Sequence, residues 1–359
     1  MPHIVFILSS LNDIHFRKRV EEFKRHGYDI EVYGFLREGH GVPSLPYEYH
    51  ELGTIREKHY FSRIVLYLKS MFFIARKKKN ALFFYSSLDI ALFARLFIKA
   101  KYIYEVCDLT ELVIKNTIIR KCLVAINKRC INDSLITILT SEGFANFFSD
   151  ISPDKYEIVP NKVSPDCPPR IKQSTEHDSS IIKIGFVGVI RFETTYHFLK
   201  ACSNLPNIEI HLFGIYSEAD TWCSQIKDLV SVASNIYYHG RFSNPQDLPE
   251  IYSQIDLLLC AYTPSPGVNY AEPNKLYESL YFNCPIIVSD GTFLGNKVKQ
   301  LGVGFSINAM DEISIKEFLD SLTYHDIGSK REQCSLISDE ECIDKYDSFF
   351  YKLQMRLQK

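Results

Sequence analysis

Val159-Pro160-Asn161 ends one succession of apolar runs and helical stretches, and Ile181-Ile182-Lys183-Ile184-Gly185-Phe186-Val187-Gly188 begins a second. The residues between them decide the architecture. Positions 164–180 hold Pro165, Pro168 and Pro169 and then a polar run over 172–180 with no apolar period, which reads as a linker. Upstream, short apolar runs at 3–8, 30–33, 81–85, 101–106, 135–139 and 157–159 predict strands, and an amphipathic helix is expected over 16–26, stopped by Gly27. Downstream, strands are expected at 181–187, 208–213, 236–239, 257–260 and 286–288, with a helix over 196–203. Strands apolar throughout, separated by helical stretches, predict a parallel sheet covered on both faces. The expected fold class is therefore α/β, with two Rossmann-like doubly wound domains facing each other across a cleft. The expected domains are 1–166 and 167–341, with a C-terminal helical stretch over 342–359 free to pack back on the first domain.

Composition narrows the function. The formal net charge of -2 argues against a nucleic-acid partner. It averages two unlike halves: residues 1–166 carry 24 Lys and Arg against 19 Asp and Glu, and the remainder carries 17 against 24. One half is thus suited to something anionic. The ten cysteines form no Cys-x-x-Cys pair and sit singly in apolar stretches, as expected of reduced core cysteines in a cytosolic protein. No run reaches the roughly 18–20 uninterrupted apolar residues of a spanning helix.

Doubly wound sheets bind ligands beyond the carboxyl ends of their strands. No G-x-G-x-x-G, no phosphate-binding P-loop and no Asp-x-Asp follows any of them, so neither a nicotinamide dinucleotide nor a metal-bound diphosphate is expected. The most informative segment is Glu272-Pro273-Asn274-Lys275-Leu276-Tyr277-Glu278-Ser279-Leu280, followed by Asn283-Cys284-Pro285-Ile286-Ile287-Val288-Ser289-Asp290. Pro273 suits the first turn of a helix that Asn283 and Pro285 would end. Lys275 then sits where the helix already carries partial positive charge, a placement that makes sense if an anion docks there. Glu278 shares its face, one turn along, where a carboxylate can accept ribose hydroxyls. The alternative is an ordinary Lys–Glu pair on a solvated helix.

This segment resembles the P-x-K-L-x-E…G-x-P-I-I motif of the GT-B glycosyltransferases, in particular the family-4-like enzymes of capsule and lipopolysaccharide assembly. Ile184-Gly185-Phe186-Val187-Gly188 with Arg191, Leu212-Phe213-Gly214, His239-Gly240-Arg241 with residues 248–256, and Val159-Pro160-Asn161 resemble further family segments in the same order. The resemblance implies a GT-B architecture and a nucleoside-diphosphate sugar donor, UDP-linked, held by Gly188, Arg191, Gly240, Arg241, Glu272, Asn274, Lys275, Leu276 and Glu278. It implies that Arg191 and Lys275 stabilise the leaving diphosphate with no metal and no cofactor, and that the anomeric configuration is retained. Two departures stand out. No lysine follows Arg191 within Phe192-Glu193-Thr194-Thr195, and Tyr270 occupies the place of the first of two glutamates that many members carry. Glu272 is left either to approach the sugar or to complement the helix terminus with its charge. The alternatives are a nucleotide-sugar epimerase of the same shape and a catalytically silent scaffold.

In the first half, Tyr104-Glu105-Val106-Cys107-Asp108-Leu109-Thr110-Glu111 resembles the family's E-x-x-D-L-x-x-E segment. Asp108 is expected to be buried at a strand end, where an unpaired carboxylate is costly, and is the candidate catalytic residue on the acceptor side; capping of its loop is the alternative. Asn12, Asp13, Arg17 and Arg19 follow the first strand and, with Glu111, complete the acceptor-side candidates. The acceptor implied is a glycan or lipid-linked glycan. Residues 61–79, aromatic with a basic end, lie within the stretch 51–130, which carries 16 Lys and Arg against 6 Asp and Glu. That combination suits an anionic membrane surface, so a cytoplasmic, peripheral location on the inner face of the membrane is expected. A core helix with a solvated basic tip is the alternative.

Overall fold

A computed structural model describes residues 3–39, 41–56, 59–78, 81–171, 181–203 and 205–358. The expected polar run over 172–180 lies outside the described residues. The chain divides into two units, Met1–Pro160 with Lys345–Lys359, and Asn161–Asp344.

The first unit holds β1 (His3–Leu8), β2 (Asp29–Arg37), β3 (Tyr49–Ile55), β4 (Leu82–Tyr85), β5 (Tyr102–Val106), β6 (Ile136–Leu139) and β7 (Tyr156–Ile158). They form one sheet in the order β3-β2-β1-β4-β5-β6-β7, parallel throughout. Helices cover it, as parallel strands require. The helix Ile14–Arg25 shows why these residues fold locally. Asp13 Oδ1 accepts the His15 amide at 3.0 Å, capping its start, and Gly27 at φ 77 stops its end. Its inner face sends Phe23 against Phe6 and Phe84 of the sheet. The C-terminal segment forms a short helix, Asp339–Cys342, and a second, Asp347–Leu357, rather than one helical stretch. Phe349, Phe350 and Leu353 of the second helix enter the first unit's core.

The second unit holds β8 (Ile182–Ile190), β9 (Ile208–Tyr216), β10 (Ile236–Gly240), β11 (Leu257–Cys260), β12 (Ile286–Ser289) and β13 (Gly304–Ile307). The order is β10-β9-β8-β11-β12-β13, again parallel. One core lies on each face. The division falls before residue 166 because Val163 already pairs with Ile343, and the Val163 amide donates to Cys342 O at 2.9 Å. Both sheets reverse strand order at one point, between β1 and β4 and between β8 and β11, where doubly wound folds leave a crevice.

Candidate functional site

In the second unit the reversal point lies beyond Gly188. This residue has φ 143, and a Cβ on the neighbouring Gly214 would sit 1.7 Å from Gly188 O, so the two strands approach as bare backbone. A Cβ on Gly188 itself would lie 3.9 Å from Lys275 Cε. The lysine arm therefore runs across an open stretch of backbone at the strand's end.

Lys275 belongs to the helix Asn274–Tyr281, which starts after Pro273 with no side-chain cap and no acidic residue in its first turn. Asn283, at φ 52, ends it. Lys275 Nζ lies 2.5 Å from Glu278 Oε2. Tyr252 donates to the same oxygen at 2.7 Å, and Asn274 Nδ2 donates to Glu278 Oε1 at 2.7 Å. Lys275 is 8% and Glu278 2% exposed, so the pair does not ride a solvated face. Burial, reinforced by Glu278, pushes the Tyr252 hydroxyl well above its ordinary range and keeps it a donor.

The other donor-side candidates divide. Glu272 is buried, pairs with Lys297 at 2.7 Å and accepts from the Tyr277 hydroxyl. The Leu276 side chain is fully buried in the core, so this residue can meet a ligand only through its backbone. Gly240 closes β10 and Arg241 follows it, two strands from β8 at the sheet's edge. Arg191 is exposed, with its guanidinium 4.5 Å from the centre of the Phe192 ring. The structure thus brings Gly188, Asn274, Lys275 and Glu278 together, and adds Tyr252, which sequence reasoning left inside a longer motif.

In the first unit a pocket of about 280 Å³ opens at the reversal point, with Ser9 after β1, Ser86 and Ser87 after β4, and Asp108 after β5 on its wall. Asp13 joins them there. Asp108 is exposed, not buried as expected. The buried carboxylate within the strand itself is Glu105, since β5 is covered on both faces, and its partner is Arg19, also fully buried, at 2.6 Å. Burial opposes ionisation of Glu105, but Arg19 and His15 outweigh it and hold the carboxyl at about 2. Arg17 instead pairs with Glu21 on the exposed helix surface. Asn12 braces its loop, donating to Gly41 O at 2.8 Å and accepting the Arg37 amide. Glu111 is buried, accepts from Asn127 at 2.7 Å, and has its carboxyl raised by burial. Asp13 and Asp108 are therefore the two expected acceptor-side residues that share this pocket.

His15, Glu105 and Cys107 place potential ligand atoms within 4.8 Å of one another. The Arg19 guanidinium already supplies the countercharge to Glu105, and burial keeps the Cys107 thiol protonated, so these residues fit a cation poorly. All ten cysteines are free. Among the described residues no helix is long and apolar enough to cross a membrane.

No family model matches the chain. The succinoglycan biosynthesis protein ExoL of Rhizobium meliloti (strain 1021) is 23% identical over 93% of this chain and 89% of its own length. Among solved structures, the sucrose-phosphate synthase of Thermosynechococcus elongatus matches at TM-score 0.72, covering 100% of this chain and 98% of that one, at 12% identity. HepE of Anabaena, solved in complex with UDP-glucose, matches at TM-score 0.67 over 100% and 99% of the two chains, at 11% identity. With both sheets and both reversal points accounted for, the chain shares the two-domain GT-B fold of these structures along its whole length.

Proposed function

We propose that the chain transfers a glycosyl group from a nucleoside-diphosphate sugar, UDP-linked, to a hydroxyl of a lipid-linked or growing polysaccharide. The observation that carries this reading is the buried Lys275–Glu278 pair beside Gly188. An ammonium, uncapped helix amides and an exposed backbone turn converge there, which is what a diphosphate requires. Among the described residues Glu278 Oε1 is held by the Asn274 amide alone, a partner that a ribose hydroxyl can replace, while Tyr252 keeps Oε2 in place. As the glycosyl bond breaks, negative charge grows on the leaving diphosphate. Lys275, Arg191 and the backbone N–H groups stabilise it without a metal, the kind of preorganised term that dominates such reactions. Retention of configuration follows from the family resemblance.

The names of similar proteins support the substrate classes: succinoglycan biosynthesis for ExoL, and UDP-glucose in the HepE complex. On the acceptor side Asp108 is the proposed base, with Asp13 beside it in the pocket. The helix Tyr60–Lys77 is the proposed membrane contact, and the cytoplasmic face of the membrane is the proposed location.

Incubation with radiolabelled nucleotide sugars, with and without a lipid-linked glycan fraction, tests the reaction. Transfer or slow hydrolysis is expected; interconversion of the sugar indicates an epimerase, and no turnover a silent scaffold. Asp108→Asn is expected to lower transfer by about 100-fold or more, the scale of general base catalysis, while UDP-induced thermal stabilisation persists. Unchanged transfer removes Asp108 from the mechanism.

A further inference from the structure

One residue at the second unit's reversal point adopts a backbone conformation that side chains avoid. Phe192, directly after Arg191 and before the helix Glu193–Cys202, has φ 83 and ψ 144, a region occupied almost only by glycine. Such a conformation persists only where its surroundings over-determine it. Here they do. The Phe192 ring packs on Tyr262, just beyond β11, with centroids 5.0 Å apart. Two positions on, Thr194 Oγ1 donates to Ala261 O at 2.5 Å and the Thr194 amide reaches Thr263 Oγ1 at 3.4 Å. The turn is thus tied to the strand across the crevice.

The ring is also what the Arg191 guanidinium rests on, at 4.5 Å. An exposed arginine with nothing beneath it samples many rotamers, and binding must then supply the ordering. No lysine follows within residues 192–195, so at the end of β8 the cations offered to the diphosphate are Arg191 and Lys275, with Arg241 two strands away at the sheet's edge.

We propose that Phe192 is a positioning residue for the donor's diphosphate: its glycine-like turn and its ring hold the Arg191 guanidinium at the switch point between β8 and β11. This inference rests on the donor-site reading above. A merely structural Phe192 would support the loop and influence every ligand alike. A positioning Phe192 acts on the diphosphate, and only through Arg191.

Calorimetric titration of UDP and uridine separates these cases. The proteins compared are the wild type, Phe192→Gly, Phe192→Tyr, Arg191→Ala and the double variant Arg191→Ala/Phe192→Gly. Phe192→Gly keeps the turn and removes the ring. It is expected to weaken UDP binding by about 3- to 5-fold, in the range of a cation–π contact at an exposed site, and uridine binding by less than about 1.5-fold. Phe192→Tyr is expected to bind UDP as the wild type does. In the double variant the loss is expected to match that of Arg191→Ala alone, because the ring then has no cation to place. Unchanged UDP binding in Phe192→Gly overturns the inference. So does an equal loss for uridine, or an additive loss in the double variant. If Phe192→Gly does not fold, Phe192→Leu removes the ring with the apolar volume kept and is read the same way. A wild-type protein that binds none of UDP, GDP, TDP or CDP overturns the donor-site reading itself, and this inference with it.

Discussion

Truncating one member of the Lys275–Glu278 pair leaves the other charged where little water reaches it, and removing one partner of a buried pair costs about 3–5 kcal/mol. Lys275→Ala therefore mixes a stability loss with a functional one. Glu278→Gln is the milder probe: it keeps the shape and still accepts from Tyr252 through its one oxygen, its NH2 can donate to Asn274 Oδ1 once that amide turns over, and only the countercharge to Lys275 is lost. It is expected to fold, by circular dichroism, and to lose about 2–4 kcal/mol of transition-state binding, a fall in kcat/KM of about 30- to 1,000-fold. Wild-type turnover would sink the assignment. The Arg19–Glu105 pair makes a different prediction. Glu105 is held at about 2 in the folded protein, below the ordinary value near about 4.3. Its contribution is complete above that ordinary value and disappears as pH falls through the lowered one. Arg19→Met is expected to destabilise by about 3–5 kcal/mol at neutral pH, and Glu105→Gln to flatten the loss of melting temperature between about pH 4 and 2; a scan at several pH values checks both. The helical spacing of Lys275 and Glu278 and the glycine turn at 188 were legible in the sequence. The partnership of Arg19 with Glu105 was not: it joins residues 86 positions apart, and an arginine that follows the first strand reads as an acceptor-side candidate until its buried partner is known.

Element by element, legibility follows burial. The strands read as continuous apolar runs are those with both faces covered, such as β1, β4 and β11, each buried along nearly its whole length. The two missed strands, β3 and β13, are sheet edges. In β3 the sequence Tyr49-His50-Glu51-Leu52-Gly53-Thr54-Ile55 is half exposed and polar, and β13 begins on a glycine, so neither carries the pattern that burial imposes. The helix Tyr60–Lys77 is buried on one side and exposed on the other. Tyr67, Met71 and Ile74 are buried, while Phe61 is 81%, Phe72 50% and Phe73 45% exposed. Arg76 and Lys77 lie over the rings of Phe72 and Phe73 at 5.3 and 4.2 Å; the assignment at Lys79 lies outside the described residues. Exposed aromatics flanked by cations suit an anionic bilayer surface. Flotation with phosphatidylglycerol vesicles at low salt is expected to carry the protein upward, and about 0.5 M salt to release much of it, since exposed charges are then screened within a few ångströms. Phe72→Glu with Phe73→Glu is expected to abolish flotation without changing the melting temperature. Equal failure to bind neutral and anionic vesicles would leave this an ordinary half-exposed helix.

At the scale of the whole molecule, the chain crosses between its units twice, after Pro160 and again after Asp344. The returning segment ends in the helix Asp347–Leu357, and that helix is part of the first unit's core. Phe350 packs on Phe23 at 4.9 Å and stacks on His26 at 3.7 Å, and Phe349 meets Phe23 at 5.7 Å. Arg19, the residue that neutralises Glu105, also lies over the ring of Tyr346 at 4.9 Å. Deleting residues 345–359 therefore removes two buried phenylalanines and Leu353 at once, each worth about 1.5–3 kcal/mol of burial, against a domain stability of only about 5–15 kcal/mol. The proposed donor residues Gly188, Arg191, Lys275 and Glu278 all belong to the other unit. The expected outcome is asymmetric. In differential scanning calorimetry the truncated protein should lose the transition of the first unit and bind a hydrophobic dye, while the second unit still melts cooperatively. UDP at 100 times its Kd should still raise that second transition, by the equivalent of about 2.7 kcal/mol, although glycosyl transfer is abolished. Loss of the UDP response together with the first transition would show instead that the donor site cannot stand without the first unit, and the assignment of donor binding to residues 161–344 alone would fall.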